Sequence, residues 1–152
     1  LTPGEIALAR MVFGDAIAYD RVRICHHKWI FFQPRHIVMA PMGSLHFNPH
    51  GELYCDDFSA ASQRLQGLFI HEMTHVWQAQ QGVNLLTGKL RAGDRPSSYQ
   101  YPVGMDCDWG DLNIEQQAMV VEHRFRLLRG GAVPAPVEFY DRVCPLGPRI
   151  EP

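Results

Sequence analysis

The 152-residue sequence lacks any apolar run near the roughly 18 residues needed to cross a bilayer, which excludes a membrane-spanning helix. It also lacks a Cys-x-x-Cys pair. Cys25, Cys55, Cys107 and Cys144 are far apart, so a structural zinc site of ordinary spacing is not expected. In an oxidising compartment these four can form two disulfides; otherwise they are idle thiols. There is no excess of one charge: a net charge of -2 gives no electrostatic reason to expect a nucleic-acid partner. Internal repeats, low-complexity tracts and a linker that would divide the chain are missing too, as are an initiator Met and a signal-peptide pattern. The opening Leu1-Thr2-Pro3-Gly4 reads as the start of a domain taken from a longer protein, and residues 1–152 as a single domain.

What is present is ordinary for a folded core, with 46% hydrophobic and 11% aromatic residues, except for eight histidines, which make metal chemistry worth testing. Thr2-Pro3-Gly4-Glu5 fits a capping box with Pro3 at the first helical position, and a helix is expected to about Ala18. From Asp20 to about Leu53, short runs such as Trp29–Phe32, Ile37–Met39 and Leu45–Phe47 alternate with turn residues, which predicts a small antiparallel sheet. Ser59 is placed as the cap of a long helix that ends near Gln81 and stops at Gly82. Residues 83–111 read as an irregular segment, long enough to suggest a function. A second long helix is expected over Leu112–Leu128, stopped by Gly130-Gly131, and a short one around Val137–Arg142.

The chemistry lies in His71-Glu72-Met73-Thr74-His75, an H-E-x-x-H motif. On a helix, residues four apart lie one turn up the same face, so both imidazoles reach one ion. Glu72 is about 100° round from His71 and suits a base acting on water rather than a ligand. Leu65, Leu68, Phe69, Ile70, Met73, Val76 and Trp77 wrap most of this helix, with both histidines at the edge of the apolar arc. A chance match on an ordinary helix would not require that setting.

Two histidines leave zinc one protein ligand short. The long form of the motif is absent, since Gln78 and Gln81 stand where it has Gly and His. A carboxylate on the second helix is the expected third ligand, with Glu115 and Glu122 as candidates on one edge of that helix. The losing candidate would be a surface residue, and for Glu122 a pair with Arg126 is a sufficient account. A non-catalytic module that uses zinc as a staple would need four protein ligands, and no fourth is evident.

Together, His71-Glu72-Met73-Thr74-His75-Val76-Trp77-Gln78 and Glu115-Gln116-Gln117-Ala118 resemble the glutamate zincins, in which a downstream Glu-x-x-Ala supplies the third ligand. The chain is more closely similar to the C-terminal metallopeptidase domain of VgrG-type spike proteins of bacterial type VI secretion systems. The opening Leu1-Thr2-Pro3-Gly4-Glu5-Ile6-Ala7-Leu8-Ala9 and the segment through Asp20-Arg21-Val22 carry that likeness over most of the chain. The resemblance implies an α+β, zincin-like domain in which His71, His75 and Glu115 bind Zn2+ and Glu72 is catalytic. It further implies a secreted toxin carried on a covalently linked upstream spike domain and delivered into a target bacterium, with action in the periplasm. A protein or peptide substrate and a cognate immunity protein are the implied partners. A cell-wall amidase or endopeptidase is the alternative within enzymes.

Tyr99 and Tyr101, in the segment joining the two metal-bearing helices, are candidates to stabilise an oxyanion. His123 reads as a surface residue, and His26, His27 and His36 as structural or exposed. His46 and His50 straddle the Asn48-Pro49 turn, so their spacing has no helical meaning. Asp106, Asp108 and Asp111 lack an EF-hand pattern and suit turns and caps.

Overall fold

The protein is described by a computed structural model covering residues 1–93, 95–104 and 106–148. The domain reading of 1–152 thus extends at its end to residues outside those described. Thr2 caps α1 (Pro3–Phe13) with the full reciprocal box: its hydroxyl accepts from Glu5 N while the Glu5 carboxylate accepts from Thr2 N. The helix ends five residues earlier than expected because Gly14 takes φ 52, a conformation an L side chain resists. The other Glu5 oxygen accepts from Phe58 N at 3.0 Å, so this buried carboxylate ties α1 to the 3-10 turn Phe58–Ala60.

The expected antiparallel sheet is replaced by one two-residue parallel pair, β1 (Ile24–Cys25) and β2 (Leu45–His46), with Ile24 opposite Leu45 and Cys25 opposite His46. A single antiparallel bridge joins Met39 to His46. The Trp29–Phe32 run forms turns, not a strand. Polar side chains organise this excursion from inside: buried Gln33 accepts from Trp29 N and donates to the carbonyls of Ile37 and His46, while Asn48 donates to Gln33 O. Phe31, Phe32 and Met42 remain exposed.

The metal-motif helix α2 (Gln63–Gln80) is capped by Ser62, not Ser59, which lies in the preceding 3-10 turn. Its C-cap is Gln81, and Gly82, at φ 86, turns the chain away. The segment read as irregular contains α3 (Leu85–Ala92), capped by Asn84 and closed by Gly93 at φ 74. The 3-10 turns Pro96–Ser98 and Trp109–Asp111 follow. Helices α4 (Ile114–Leu128) and α5 (Val137–Val143) agree with expectation to within two residues. None of the described helices is long and apolar enough to cross a membrane.

Helix α2 packs chiefly against α4. Phe69, Ile70, Met73 and Val76 from α2 meet Val120, Val121 and Phe125 from α4 in a core shared with α1 and α5. Small residues set the separation: Ala118 is fully buried, and a Cβ at Gly67 would lie 3.2 Å from Glu122 Oε1. Helix α3 sits close on the start of α4, where a Cβ at Gly88 would lie 2.9 Å from Ile114 Cδ1. All four cysteines are free thiols, the second of the two states that their spacing left open.

The two site helices begin with caps of different quality. Asn113 Oδ1 accepts from both Glu115 N and Gln116 N at 2.9 Å, whereas the Ser62 hydroxyl accepts from Leu65 N at 3.5 Å. Asn113→Ala is therefore expected to cost about 1–2 kcal/mol of unfolding free energy and Ser62→Ala well under about 1 kcal/mol. Urea denaturation of the two variants checks this ranking; equal losses would contradict it.

Candidate metal centre

On α2, His71 and His75 project from successive turns of one face, as their spacing demands. Both are buried, and their rings meet edge to face with centroids 5.1 Å apart. Across the seam, Glu115 stands in the first turn of α4 and is 3% exposed. Its Oε2 lies 3.3 Å from Nε2 of His71 and 3.3 Å from Nε2 of His75. Those separations are long for charge-assisted hydrogen bonds, which run at about 2.7–2.9 Å. They match instead the edge of a tetrahedron whose centre is about 2.1 Å from each ligand, about 3.4 Å. The donor set, two imidazoles and one carboxylate with all three ligand atoms within 4.8 Å of one another, fits zinc.

The atoms facing away from this meeting point are also engaged. The Nδ1–H of His75 donates to Gln78 Oε1 at 2.8 Å, which presents Nε2 as the free lone pair. Gln78 is itself fixed, its amide donating to Ile114 O and Gln117 Oε1. Nδ1 of His71 pairs with Glu122 Oε2 at 3.4 Å. Glu122 does contact Arg126, at 3.4 Å, as the spacing suggested, but it is not a surface residue: its other oxygen meets the His71 ring. The second oxygen of Glu115 receives Lys89 Nζ from α3 at 2.6 Å, which leaves Oε2 to the histidines.

Charge is unevenly distributed here. Glu72, Glu115 and Glu122 bring three carboxylates to two imidazoles, with Lys89 and Arg126 at the rim. Burial disfavours the His71 imidazolium, yet its bonds to Glu115 and Glu122 and the charge of Glu72 outweigh burial and push its pKa up to about 10. Burial likewise opposes ionisation of Glu115, but His71, His75 and Lys89 hold it well below the ordinary carboxylate range. The pocket thus draws positive charge to the point where the ligand atoms converge. Burial pushes the Glu72 carboxyl up, against the lowering effect of His71 and His75. Among the described residues Glu72 has no hydrogen-bond partner, so its oxygens are left for a water. A raised carboxyl pKa suits a group that must accept a proton and later release it.

The two candidate tyrosines part company. The Tyr99 ring stacks 6.4 Å from that of His71, and its hydroxyl accepts from Lys89 Nζ at 2.7 Å. The preceding residue is fastened to α4, since Asn113 Nδ2 donates to Ser98 O. The Tyr101 hydroxyl bonds His123 Nδ1 at 2.7 Å and Tyr140 at 2.8 Å, and its ring stacks on Phe139 of α5. It makes no hydrogen bond to His71, Glu72, His75 or Glu115, so the expected oxyanion role for Tyr101 gives way to packing. His123, read as surface, is half-buried by that contact.

Lys89, Gln78 and Asn113 were not anticipated. The Asn113-x-x-Gln116 box at the start of the second helix was a legible signal for the last of these, and Asn84 with Gly93 was a signal for the helix that carries Lys89.

No protein-family model matches the chain. Over 129 residues it is 42% identical to the type VI secretion system spike protein VgrG2b of Pseudomonas aeruginosa, a match that takes in 82% of this chain and 13% of that protein. The chain therefore spans only a small part of its curated relative. Among solved structures, the effector domain of Pseudomonas aeruginosa VgrG2b matches with a TM-score of 0.75 at 40% sequence identity, covering 85% of this chain and 74% of that one.

Substituting the two glutamates separates their parts. Glu115→Gln replaces the carboxylate facing both Nε2 atoms with a neutral amide and is expected to abolish stoichiometric zinc binding. Glu122→Gln leaves the ligand set whole but loosens His71, and should weaken zinc by about 10–100-fold. Competition against a chromophoric chelator measures both. Wild-type affinity in Glu122→Gln would mean that its contact with His71 is incidental.

Proposed function

Because the chain belongs to the family of the VgrG2b effector domain, we propose that it is a zinc-dependent hydrolase acting as a type VI secretion effector. Specifically, it is a metallopeptidase of glutamate-zincin type that cuts amide bonds. The reading is supported above all by the Glu115 oxygen, 3.3 Å from both Nε2 atoms in a pocket rich in buried carboxylate. His71, His75 and Glu115 would hold the ion. Zinc, when bound, supplies Lewis acidity, polarising a carbonyl and lowering the pKa of water.

The remaining work falls to the chain's own side chains. Glu72 takes a proton from the water whose oxygen bonds to the amide carbon, and gives it to the amine nitrogen as the C–N bond breaks. His75 and His71 are kept in one tautomer and orientation by Gln78 and Glu122. Lys89 holds Glu115 by one oxygen and donates to the Tyr99 hydroxyl. Tyr99, bonded to Lys89 and stacked beside His71, is the candidate to stabilise a developing oxyanion. Among the described residues the group has three members, which favours a catalyst over a staple, since a staple needs a fourth protein ligand.

In this reading the domain is joined to an upstream spike, is delivered into a neighbouring bacterium, and meets its amide substrate in the periplasm. A cognate immunity protein protects the producer. The amide belongs either to a protein or to a cell-wall peptide, and parallel digests of the two substrate classes with the same enzyme distinguish them.

Glu72→Ala should retain one zinc ion in the α2–α4 site and its fold while losing hydrolysis. Persistent hydrolysis in this variant would overturn the reading, and loss of zinc from that site would make Glu72 a ligand rather than a base. Expression in a susceptible bacterium tests the compartment: growth should fall only when an export signal precedes the domain. Equal inhibition with and without the signal would count against a periplasmic substrate.

A further inference from the structure

Among the described residues, one other trio brings its ligand atoms as close as those of the α2–α4 site. The side chains of Cys25, His27 and His46 have a thiol and two ring nitrogens within 4.8 Å of one another. The strand pair explains the meeting. Cys25 and His46 are in register across the parallel β1–β2 ladder, so their side chains share one face. His27, two residues beyond Cys25, returns over that face, and its ring meets His46 edge to face with centroids 5.1 Å apart.

Three independent details suit a ligand set. The Cys25 thiol is in no disulfide. The His27 Nδ1–H donates to Lys28 O at 3.2 Å, which leaves Nε2 as the coordinating nitrogen. His46 Nδ1 is buried and has no hydrogen-bond partner among the described residues, an unfavourable state that a ligand would relieve. The His46 backbone is meanwhile rigid: its N–H donates to Met39 O, and its carbonyl accepts from Met39 N and Gln33 Nε2. An imidazole on a fixed backbone, with one orphaned ring nitrogen and a thiol and a second imidazole close by, is a preorganised half-site.

We propose that Cys25, His27 and His46 bind a second zinc ion, in a sulfur-containing site separate from the one on α2 and α4. A tetrahedral zinc holds nitrogen and sulfur ligands about 3.4–3.8 Å apart, so the trio closes on the ion by small side-chain rotations. Exposed His27 leaves the fourth position towards solvent. The ion fastens the two ends of the excursion between β1 and β2, whose aromatic residues Phe31 and Phe32 face outward and supply no core. A two-residue ladder adds little to the Gln33 and Asn48 bonds that shape this loop. The Cys-x-His spacing was passed over in the sequence because the third ligand lies nineteen residues away and only the strand register reveals it.

The chemistry of the two sites differs in one observable way: only this one contains sulfur. Cobalt(II), titrated into the reduced full chain, is the probe. The wild type should take up two equivalents and develop a near-ultraviolet thiolate-to-cobalt charge-transfer band. Cys25→Ser and His27→Ala should bind one equivalent and lose the band; His27 is exposed, so its removal leaves the fold intact by circular dichroism. His71→Ala should lose one equivalent and keep the band, which separates failure of this proposal from failure of the α2–α4 site. Absence of the band in the wild type, or its survival in Cys25→Ser, would overturn the proposal.

Discussion

Carboxylates are expensive to bury, and this domain buries two of them, with a third largely covered, around two histidines between a pair of packed helices. Much else in the molecule follows from keeping that arrangement neutral and in register. Gly67 and Ala118 hold α2 and α4 close enough for one Glu115 oxygen to face both Nε2 atoms. Gly88 brings α3 onto the beginning of α4, and Lys89 answers the charge of the other oxygen. Gln78 and Glu122 spend their polar atoms on the far nitrogens of the histidines, each from a different helix. A ligand set held from four directions is insensitive to the motion of any one side chain.

The parts of the site carried on long helices were legible in the sequence. Four-residue spacing in an apolar arc identifies His71 and His75 without further information, and the same periodicity places Glu115 and Glu122 on one edge of α4. Periodicity could not say what lies opposite that edge. Glu122 therefore read either as the third ligand or as a surface partner of Arg126, when its carboxylate bridges Arg126 and His71. Lys89 was hidden for another reason: α3 has eight residues, includes Gly88, and sits among Gly, Pro and Ser, so its pattern is too short to stand out.

The sheet region shows a different limit. β-favouring runs were present, but side-chain preference there reflects half-buried packing and not an extended ladder. Gln33 and Asn48, not alternating apolar pairs, shape residues 29–48, and the chain returns to pair in the same direction as it left. Hairpin logic assigns antiparallel pairing to neighbouring strands. The long excursion between β1 and β2 escapes that logic, because it is long enough to act as a crossover.

The double cap on α4 has a consequence for time scales. Helix ends open and close far more often than whole domains unfold. Glu115 is the second residue of its helix, and the Asn113 side chain that secures its amide also grips the Ser98 carbonyl next to Tyr99. Fraying of this single turn would release a ligand atom and the neighbouring phenol together. An ion held as proposed would be released when that one helical turn opens, which makes the cap its latch.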